Sequence, residues 1–375
     1  MSKSGQQDKP FTIPKQLVWE AYRWVKANKG AAGVDHVSMG EFEKDLRGNL
    51  YKIWNRMSSG TYFPPPVKAV EIPKSHGGTR ILGVPAVGGR IAQTVVALQL
   101  EARTESIFHP GSDLVVKAVE ANTDRKWVLL YVKRWLKAPL QMPDGAFRER
   151  DRGTPQGSAV SRVLASLFLH YAMDSWLERE FPAVEFERYA DDAVLHCSTE
   201  YQARKVRDAL AVRLESLGLR LHPGKTKIVY CKDANRRGSY EHTSFTFLAY
   251  EFRPRSAENR KGQLFTTFSP AIGPDVLKAK GQQVREWRIH KRVGSELAEL
   301  AAWINPVVRG WMNYYGQFNR SRLYRLLQRI NTYIVRWARN KYRRLGSLKK
   351  AKRWWTGLVD REPGLFAHWA WISTF

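Results

Sequence analysis

Two short apolar runs enclosing a pair of adjacent carboxylates, Phe186-Glu187-Arg188-Tyr189-Ala190-Asp191-Asp192-Ala193-Val194-Leu195-His196-Cys197, constrain this chain more than any other stretch. The runs have strand character on both sides of a turn, which predicts a β-hairpin with Asp191 and Asp192 at its tip. Neighbouring carboxylates repel one another. A divalent cation between them removes that cost, and Mg²⁺ prefers carboxylate together with phosphate oxygens. By itself an Asp-Asp pair is more often a solvated turn, because aspartate is a common turn residue. The rest of the chain has to shift that balance.

Charge is the first feature that does. The 375 residues carry a formal net charge of +27, far beyond what solubility needs, and point to a polyanionic partner. Nucleic acid fits; an anionic membrane surface is the rival. No run of 18 apolar residues exists, so no segment is expected to span a bilayer and no membrane partner is expected. Met1 to Pro10 is polar and lacks an apolar signal core. The two cysteines, Cys197 and Cys231, form neither a Cys-x-x-Cys pair nor a disulfide framework, and the nine histidines show no His-Glu-x-x-His. A reducing, cytoplasmic setting follows as the expectation. Apolar content of 43% marks a globular protein, long enough for two or three domains.

Residues 11–60 read as helical. Trp19, Tyr22, Val25 and Ala27 lie near helical spacing, Gly30-Ala31-Ala32-Gly33 breaks the run, and Ser38 with Glu41 forms a capping-box pattern for a second helix. Tyr62 to Pro66 is extended and rigid. Val67 to Pro73 and Arg80 to Pro85 read as two strands joined by a Gly-containing turn, a basic hairpin able to set Lys74 and Arg80 on phosphates. A solvated turn carrying two charges explains it as well. Helical patterns cover Gly89 to about Phe108 and residues 113–138. Gly153-Thr154-Pro155-Gln156-Gly157-Ser158 is a tight turn ahead of a helix from Ser161 to Glu180; its backbone N–H groups and Gln amide suit a nucleotide edge, though a plain loop and helix cap is the blander alternative. A helix over Glu200 to Leu217, short strands within Gly218 to Val229, and a strand from Phe245 to Phe252 closed by Arg253-Pro254-Arg255 complete this part, with a loop and domain boundary over Ser256 to Gln263.

The C-terminal part changes character. Lys280 to Arg353 holds 19 Lys/Arg against 3 Asp/Glu. Leu323, Leu326, Leu327, Ile330, Ile334 and Trp337 step at three and four residues as one apolar helix face. Arg322, Arg325, Arg329, Arg336, Arg339 and Arg343 step likewise on another face. A solvated charged face usually mixes signs; this one does not, so a phosphate-backbone surface is expected. Trp303, Trp311, Tyr314 and Tyr315 on the preceding helix are expected mainly in the core, with stacking open to an exposed member.

Taken in order, Ile72-Pro73-Lys74, Arg80 to Pro85, Gly153 to Ser158, Tyr189-Ala190-Asp191-Asp192, Leu219 to Lys225 and Phe247-Leu248-Ala249-Tyr250 resemble the reverse transcriptases encoded by bacterial group II introns. Gly33-Val34-Asp35 with Ser38 to Asp45 resembles their N-terminal extension, and Val293 to Tyr342 their maturase, or thumb, domain. The resemblance implies an α/β right-hand polymerase (fingers and palm) followed by an α-helical thumb/maturase domain. The implied domains are an N-terminal helical extension over 1–65, a fingers/palm domain over 66–255, a thumb/maturase domain over 270–355, and a C-terminal tail over 356–375. Asp191 and Asp192 would bind catalytic Mg²⁺. Lys74, Arg80 and Gln156 would contact the incoming nucleotide, Lys225 the primer or template, and the six arginines structured intron RNA. Candidate partners are group II intron RNA, an RNA template with a DNA primer, and a second copy of the chain as a homodimer. Two-metal nucleotidyl transfer needs this chemistry, carboxylates for the ions and cations for the triphosphate.

One departure stands out. Relatives carry a strand with a further aspartate, in a motif like Asp-Ile-Lys-x-Phe-Phe-Asp, preceded by Gly-Tyr-Arg-Pro-Gly. Here the chain passes from Phe108-His109-Pro110-Gly111-Ser112 straight to Asp113-Leu114-Val115-Val116-Lys117, as if a segment were missing near 111–113. Asp113, Asp124, Asp144 and Asp151 are the substitutes on offer, and active-site tolerances of about 0.5 Å make a rescue by any of them a demanding fit. Arg162 and Ser166 replace the Pro and Asn usual in relatives, which weakens a helix start without forbidding it. The expectation is an RNA-directed DNA polymerase and intron-RNA splicing and mobility factor that is polymerase-deficient as written, its two-metal site incomplete. The alternative is a non-catalytic intron-RNA-binding maturase protein.

Overall fold

The computed structural model describes residues 9–73, 78–101, 112–150, 157–236 and 238–375, the side chains of Glu101 and Ser112 excepted. The fold is mixed α/β, in two compact units, Met1–Thr226 and Lys227–Phe375.

The first unit begins with α1 (Lys15–Ala27), α2 (Met39–Lys44) and α3 (Leu46–Ser58). On α1, Leu17, Val18, Ala21, Tyr22 and Val25 form one buried stripe. The capping box forms as expected: Ser38 Oγ accepts from Glu41 N–H at 3.2 Å, and Glu41 Oε2 accepts from Ser38 N–H at 2.7 Å. Strands β1 (Val67–Pro73) and β2 (Thr79–Val84) pair antiparallel, Lys68 opposite Val84 and Ile72 opposite Arg80. The short strands β3 (Leu140–Gln141) and β4 (Phe147–Arg148) extend this sheet, giving the order β2-β1-β3-β4.

Helices α4 (Val87–Glu101), α5 (Ser112–Glu120), α6 (Lys126–Lys137) and α7 (Ala159–Leu169) pack their apolar faces with α1 and α3 into one core, centred on Ile91, Val95, Val128, Tyr131, Val132, Leu164 and Leu167. The helical stretch expected over 113–138 is therefore two helices, interrupted at 121–125. The helix expected from Ser161 to Glu180 is also divided. A π-helical turn, His170–Asp174, separates α7 from α8 (Ser175–Glu180). Strands β5 (Glu185–Tyr189) and β6 (Asp192–His196) with α9 (Glu200–Ser216) complete the unit. A second core joins Phe168, Met173 and Leu177 to Val206, Leu210 and Leu214 of α9 and to the inner face of the β5–β6 hairpin.

The second unit starts earlier than the boundary expected near 255. Residues 227–244 hold no regular element among those described, and the strands expected within Gly218 to Val229 do not form. A three-stranded antiparallel sheet follows, β7 (Phe245–Phe247), β8 (Tyr250–Glu258) and β9 (Leu264–Ile272). The single strand expected over Phe245 to Phe252 is folded back on itself. Phe247 pairs with Tyr250, so Leu248 and Ala249 alone make the turn, with φ of 49° and 67°. Such a two-residue turn needs left-handed backbone at both positions, usually supplied by Asn and Gly. Here contacts hold it: Tyr314 Oη donates to Leu248 O at 2.9 Å and Gly273 N–H to Ala249 O at 3.0 Å. These bonds tie the sheet to the helices that follow it within the same compact unit. Strand β8 also runs through Pro254. Strand β7 ends opposite Phe252, so Pro254 lies where β8 has lost that neighbour and a missing N–H is tolerated.

Helices α10 (Pro274–Glu286), α11 (Leu297–Tyr315), α12 (Tyr324–Lys341) and α13 (Leu348–Arg361) enclose the unit's core. Leu323, Leu326, Leu327, Ile330, Ile334 and Trp337 are all buried, the apolar face that the spacing predicts. The stretch 356–375, expected as a tail, is built into this core. Residues 356–361 finish α13, and Phe366, Trp369, Trp371, Ile372 and Phe375 pack against the helices. Two buried asparagines fasten it. Asn305 Nδ2 donates to Leu365 O at 2.9 Å and its Oδ1 accepts from Ala367 N–H at 2.8 Å. Asn331 Oδ1 accepts from Trp369 Nε1 at 3.0 Å and from His368 Nε2 at 2.7 Å, and Asn331 Nδ2 donates to Thr374 O at 2.8 Å.

His368 is fully buried, and its Nδ1 has no hydrogen-bond partner. Burial lowers its pKa from 6.5 to about 3. The unfolded chain therefore takes up this proton first as the pH falls. The stabilisation is complete above pH 6.5 and is lost progressively between 6.5 and 3. Thermal unfolding followed across that window is expected to show stability falling by about 1.4 kcal/mol per pH unit from this group. His368→Leu should flatten the dependence; an unchanged slope in that variant would show that the proton goes elsewhere. Among the described residues no helix is long and apolar enough to cross a membrane.

Candidate active site and nucleic-acid interface

The β5–β6 register sets Tyr189 opposite Asp192, leaving Ala190 and Asp191 as a two-residue turn. Asp191 thus lies in the turn itself and Asp192 opens β6. Both are exposed. The strand period divides the hairpin into two faces. Phe186, Ala193 and Leu195 pack on the α9 core with Cys197 beyond them, while Glu185, Glu187, Tyr189, Asp192, Val194 and His196 share the other side. Glu187 and His196 pair on that side at 2.5 Å.

A side-chain clamp fixes the turn. Arg188 Nε donates to Asp174 Oδ1 at 2.7 Å and Arg188 Nη2 to Asp174 Oδ2 at 2.5 Å, while Nη1 donates to Ala190 O at 3.1 Å. The two side chains are only 5% and 14% exposed, so this bidentate pair is largely desolvated. Asp174 is presented by the π-helical turn. Neither residue stood out in the sequence. Arg188 adjoins the Asp-Asp motif, but its partner lies fourteen residues upstream on an element that no spacing rule predicts. Ala190 sits at φ 67°, a left-handed conformation that costs a residue with a Cβ roughly 1–2 kcal/mol. Ala190→Gly is expected to raise the urea midpoint of this unit by the equivalent of about 0.5–1 kcal/mol, glycine's greater freedom when unfolded taking back part of the gain. A lower midpoint would show that the alanine methyl contributes packing that outweighs the strain.

Asp192 titrates above the ordinary aspartate range. Partial burial is the larger cause, and the charge of Asp191 adds to it; Lys225 opposes both. The structure thus brings together three of the expected site residues, Asp191, Asp192 and Lys225. Among the described residues no group of three or more His, Cys, Asp and Glu side chains could hold a metal ion. Two exposed neighbouring carboxylates suit one Mg²⁺ shared with phosphate oxygens.

Lys74 and Gln156 lie outside the described residues. Arg80 is exposed on β2, opposite Ile72. Gly157 has φ 105°, and a Cβ there would stand 2.6 Å from Gly83 O. Glycine is required for that approach, which lays the end of the Gly153–Ser158 motif on the strand that carries Arg80. Ser158 Oγ donates to Gln93 Oε1 at 2.9 Å in the buried layer beneath.

In the second unit, α12 has no acidic residue. Arg325, Arg329, Arg336 and Arg339 lie exposed along the side opposite its apolar face. The six-arginine ladder is shorter on the helix than expected. Arg322 falls in the 3₁₀ turn Arg320–Leu323 and Arg343 in the turn Arg343–Leu345, both outside α12. Of the aromatics on α11, Trp311 is buried and stacks on Trp287 at 5.4 Å. Trp303 is half exposed, with the Arg292 guanidinium 4.3 Å above its ring.

Residues 105–252 match the family described as reverse transcriptase (RNA-dependent DNA polymerase), and residues 277–355 match the group II intron, maturase-specific domain. The two matches cover more than half of the chain and define a reverse-transcriptase domain followed by a maturase domain. The chain is similar to protein YkfC of Escherichia coli (strain K12), 27% identical over 303 residues that take up 60% of this chain and 79% of that protein. It is also similar to the group II intron-encoded protein LtrA of Lactococcus lactis subsp. cremoris, 24% identical over 222 residues, 45% of this chain and 36% of LtrA. The LtrA match thus covers well under two thirds of that protein. The chain belongs to the group II intron-encoded reverse transcriptase/maturase family.

Proposed function

We propose that this chain is a maturase-type RNA-binding protein whose reverse-transcriptase site is incomplete. The sheet β2-β1-β3-β4 would correspond to fingers, the β5–β6 hairpin to the palm, and the helices α10 to α13 to the thumb. The observation that supports the reading is the hairpin: Asp191 and Asp192 stand at the tip of a two-stranded sheet, and among the described residues they join no group of three or more metal-ligating side chains, while Asp151, one of the possible substitutes, lies outside the described residues. Among the described residues the hairpin is held by one face, packed on the α9 core, which is the support a two-stranded sheet needs. The relatives support the same reading. The alignment with YkfC spans 303 residues yet takes up 60% of the 375 here, so it passes over positions that have no counterpart in this chain.

Intron RNA is the partner this reading assigns, held by the basic side of α12, and Mg²⁺ would occupy at most a shared site at Asp191 and Asp192. Primer extension on an RNA template with Mg²⁺, run beside Asp191→Ala, is expected to give no cDNA above that control. Binding to structured group II intron RNA is expected to weaken steeply with salt. Robust cDNA synthesis abolished by Asp191→Ala would overturn the deficiency, and salt-insensitive binding would overturn the RNA interface.

A further inference from the structure

Helices α10 and α12 cross with a groove open between them, about 1110 Å³ in volume. One wall is a single row on α10, Lys278, Gln282 and Arg285, spaced four and three residues apart and exposed. The other wall is Arg329 and Tyr333 on α12. Asp275 closes one end, in the first turn of α10. Lys278, Arg285 and Arg329 form no ion pair among the described residues, in contrast to Lys341, which reaches Glu296 at 2.6 Å. Three cations against the single Asp275 carboxylate leave the groove with a net positive charge that an anion would offset.

The floor explains how Arg329 gets there. Gly281 is buried on α10, and one guanidinium nitrogen of Arg329 stands closer than contact distance to where a Cβ at 281 would be. Glycine costs a helix interior about 1 kcal/mol relative to alanine. Here its lack of a side chain lets the guanidinium cross onto α10. The aromatic in the wall is not free for a base: Tyr333 is covered by His290, stacked at 5.5 Å, and by Arg336 at 5.5 Å. The groove therefore offers cations without an open stacking surface, which suits phosphates and not bases.

We propose that the α10–α12 groove seats the sugar–phosphate backbone of the bound RNA, with Lys278 and Arg285 on one side and Arg329, admitted by Gly281, on the other. The inference rests on the RNA-binding reading and gives that interface a second wall. It makes the contact independent of base sequence. The test uses the full chain and a structured group II intron RNA, with affinity measured across salt concentrations. Gly281→Ala changes no charge and favours the helix, yet it should displace Arg329. It is expected to lower affinity roughly three- to tenfold and the salt slope by about one. Arg329→Gln should match it, and the double variant should lose no more than either single one. Lys278→Gln with Arg285→Gln should lower the slope by about two, whereas Arg204→Gln with Lys205→Gln on α9, an equal loss of charge, should leave it unchanged. Circular dichroism melting checks that each variant is folded. If Gly281→Ala binds as tightly as the parent, or the α10 pair loses no more than the α9 pair, the groove is overturned while the α12 surface stands. If the parent binds RNA without salt dependence, the underlying reading fails with it.

Discussion

Arg188→Met is expected to destabilise the Met1–Thr226 unit by about 3–5 kcal/mol, because it leaves the Asp174 carboxylate buried without its charged partner. In the parent both Asp174 oxygens accept from one guanidinium that also holds Ala190 O. Removing it frees the Asp191 turn as well as the ion pair. Urea unfolding followed by circular dichroism measures the loss. The double variant Asp174→Leu with Arg188→Met should recover a large part of it, since a buried pair replaced by apolar groups of similar size is often close to neutral. A single variant within about 1 kcal/mol of the parent would mean that the pair is far better solvated than its burial implies.

The second large effect concerns the other unit. Substituting Arg325, Arg329, Arg336 and Arg339 together by Gln should reduce affinity for structured RNA by roughly two to three orders of magnitude near physiological salt and lower the salt slope by about three to four. The helix itself should survive, because its apolar face is untouched and four like charges on one stripe repel each other. Unchanged binding at all salt concentrations would place the RNA elsewhere on the chain.

Much of this was legible in the sequence where a short-range rule applied. The capping box at Ser38 and Glu41, the apolar face of α12 and the two hairpins follow from spacing alone. What escaped depends on contacts between distant residues. The turn at Leu248 and Ala249 lacks the glycine or asparagine that would announce it, and exists because Tyr314 and Gly273 bind its two carbonyls. The Asp174–Arg188 clamp joins a π-helical turn to a strand. Arg322 and Arg343 keep the ladder's spacing past the points where α12 starts and stops, so periodicity placed them on a helix that does not include them. For the candidate site, adjacency revealed Asp191 and Asp192, whereas the proximity of Lys225 to them required the fold.

The lacing of 362–375 into the second unit has a consequence for the order of events during synthesis. Ribosomes deliver α10 to α13 before Phe366, Trp369 and Phe375, which fill the same core. Until those residues emerge, the amphipathic helices carry an unfilled apolar seam and Asn305 and Asn331 lack their carbonyl and ring N–H partners. The nascent unit is therefore exposed to aggregation and proteolysis for longer than its helical content suggests. Its core is filled only when residues 362–375 have joined it.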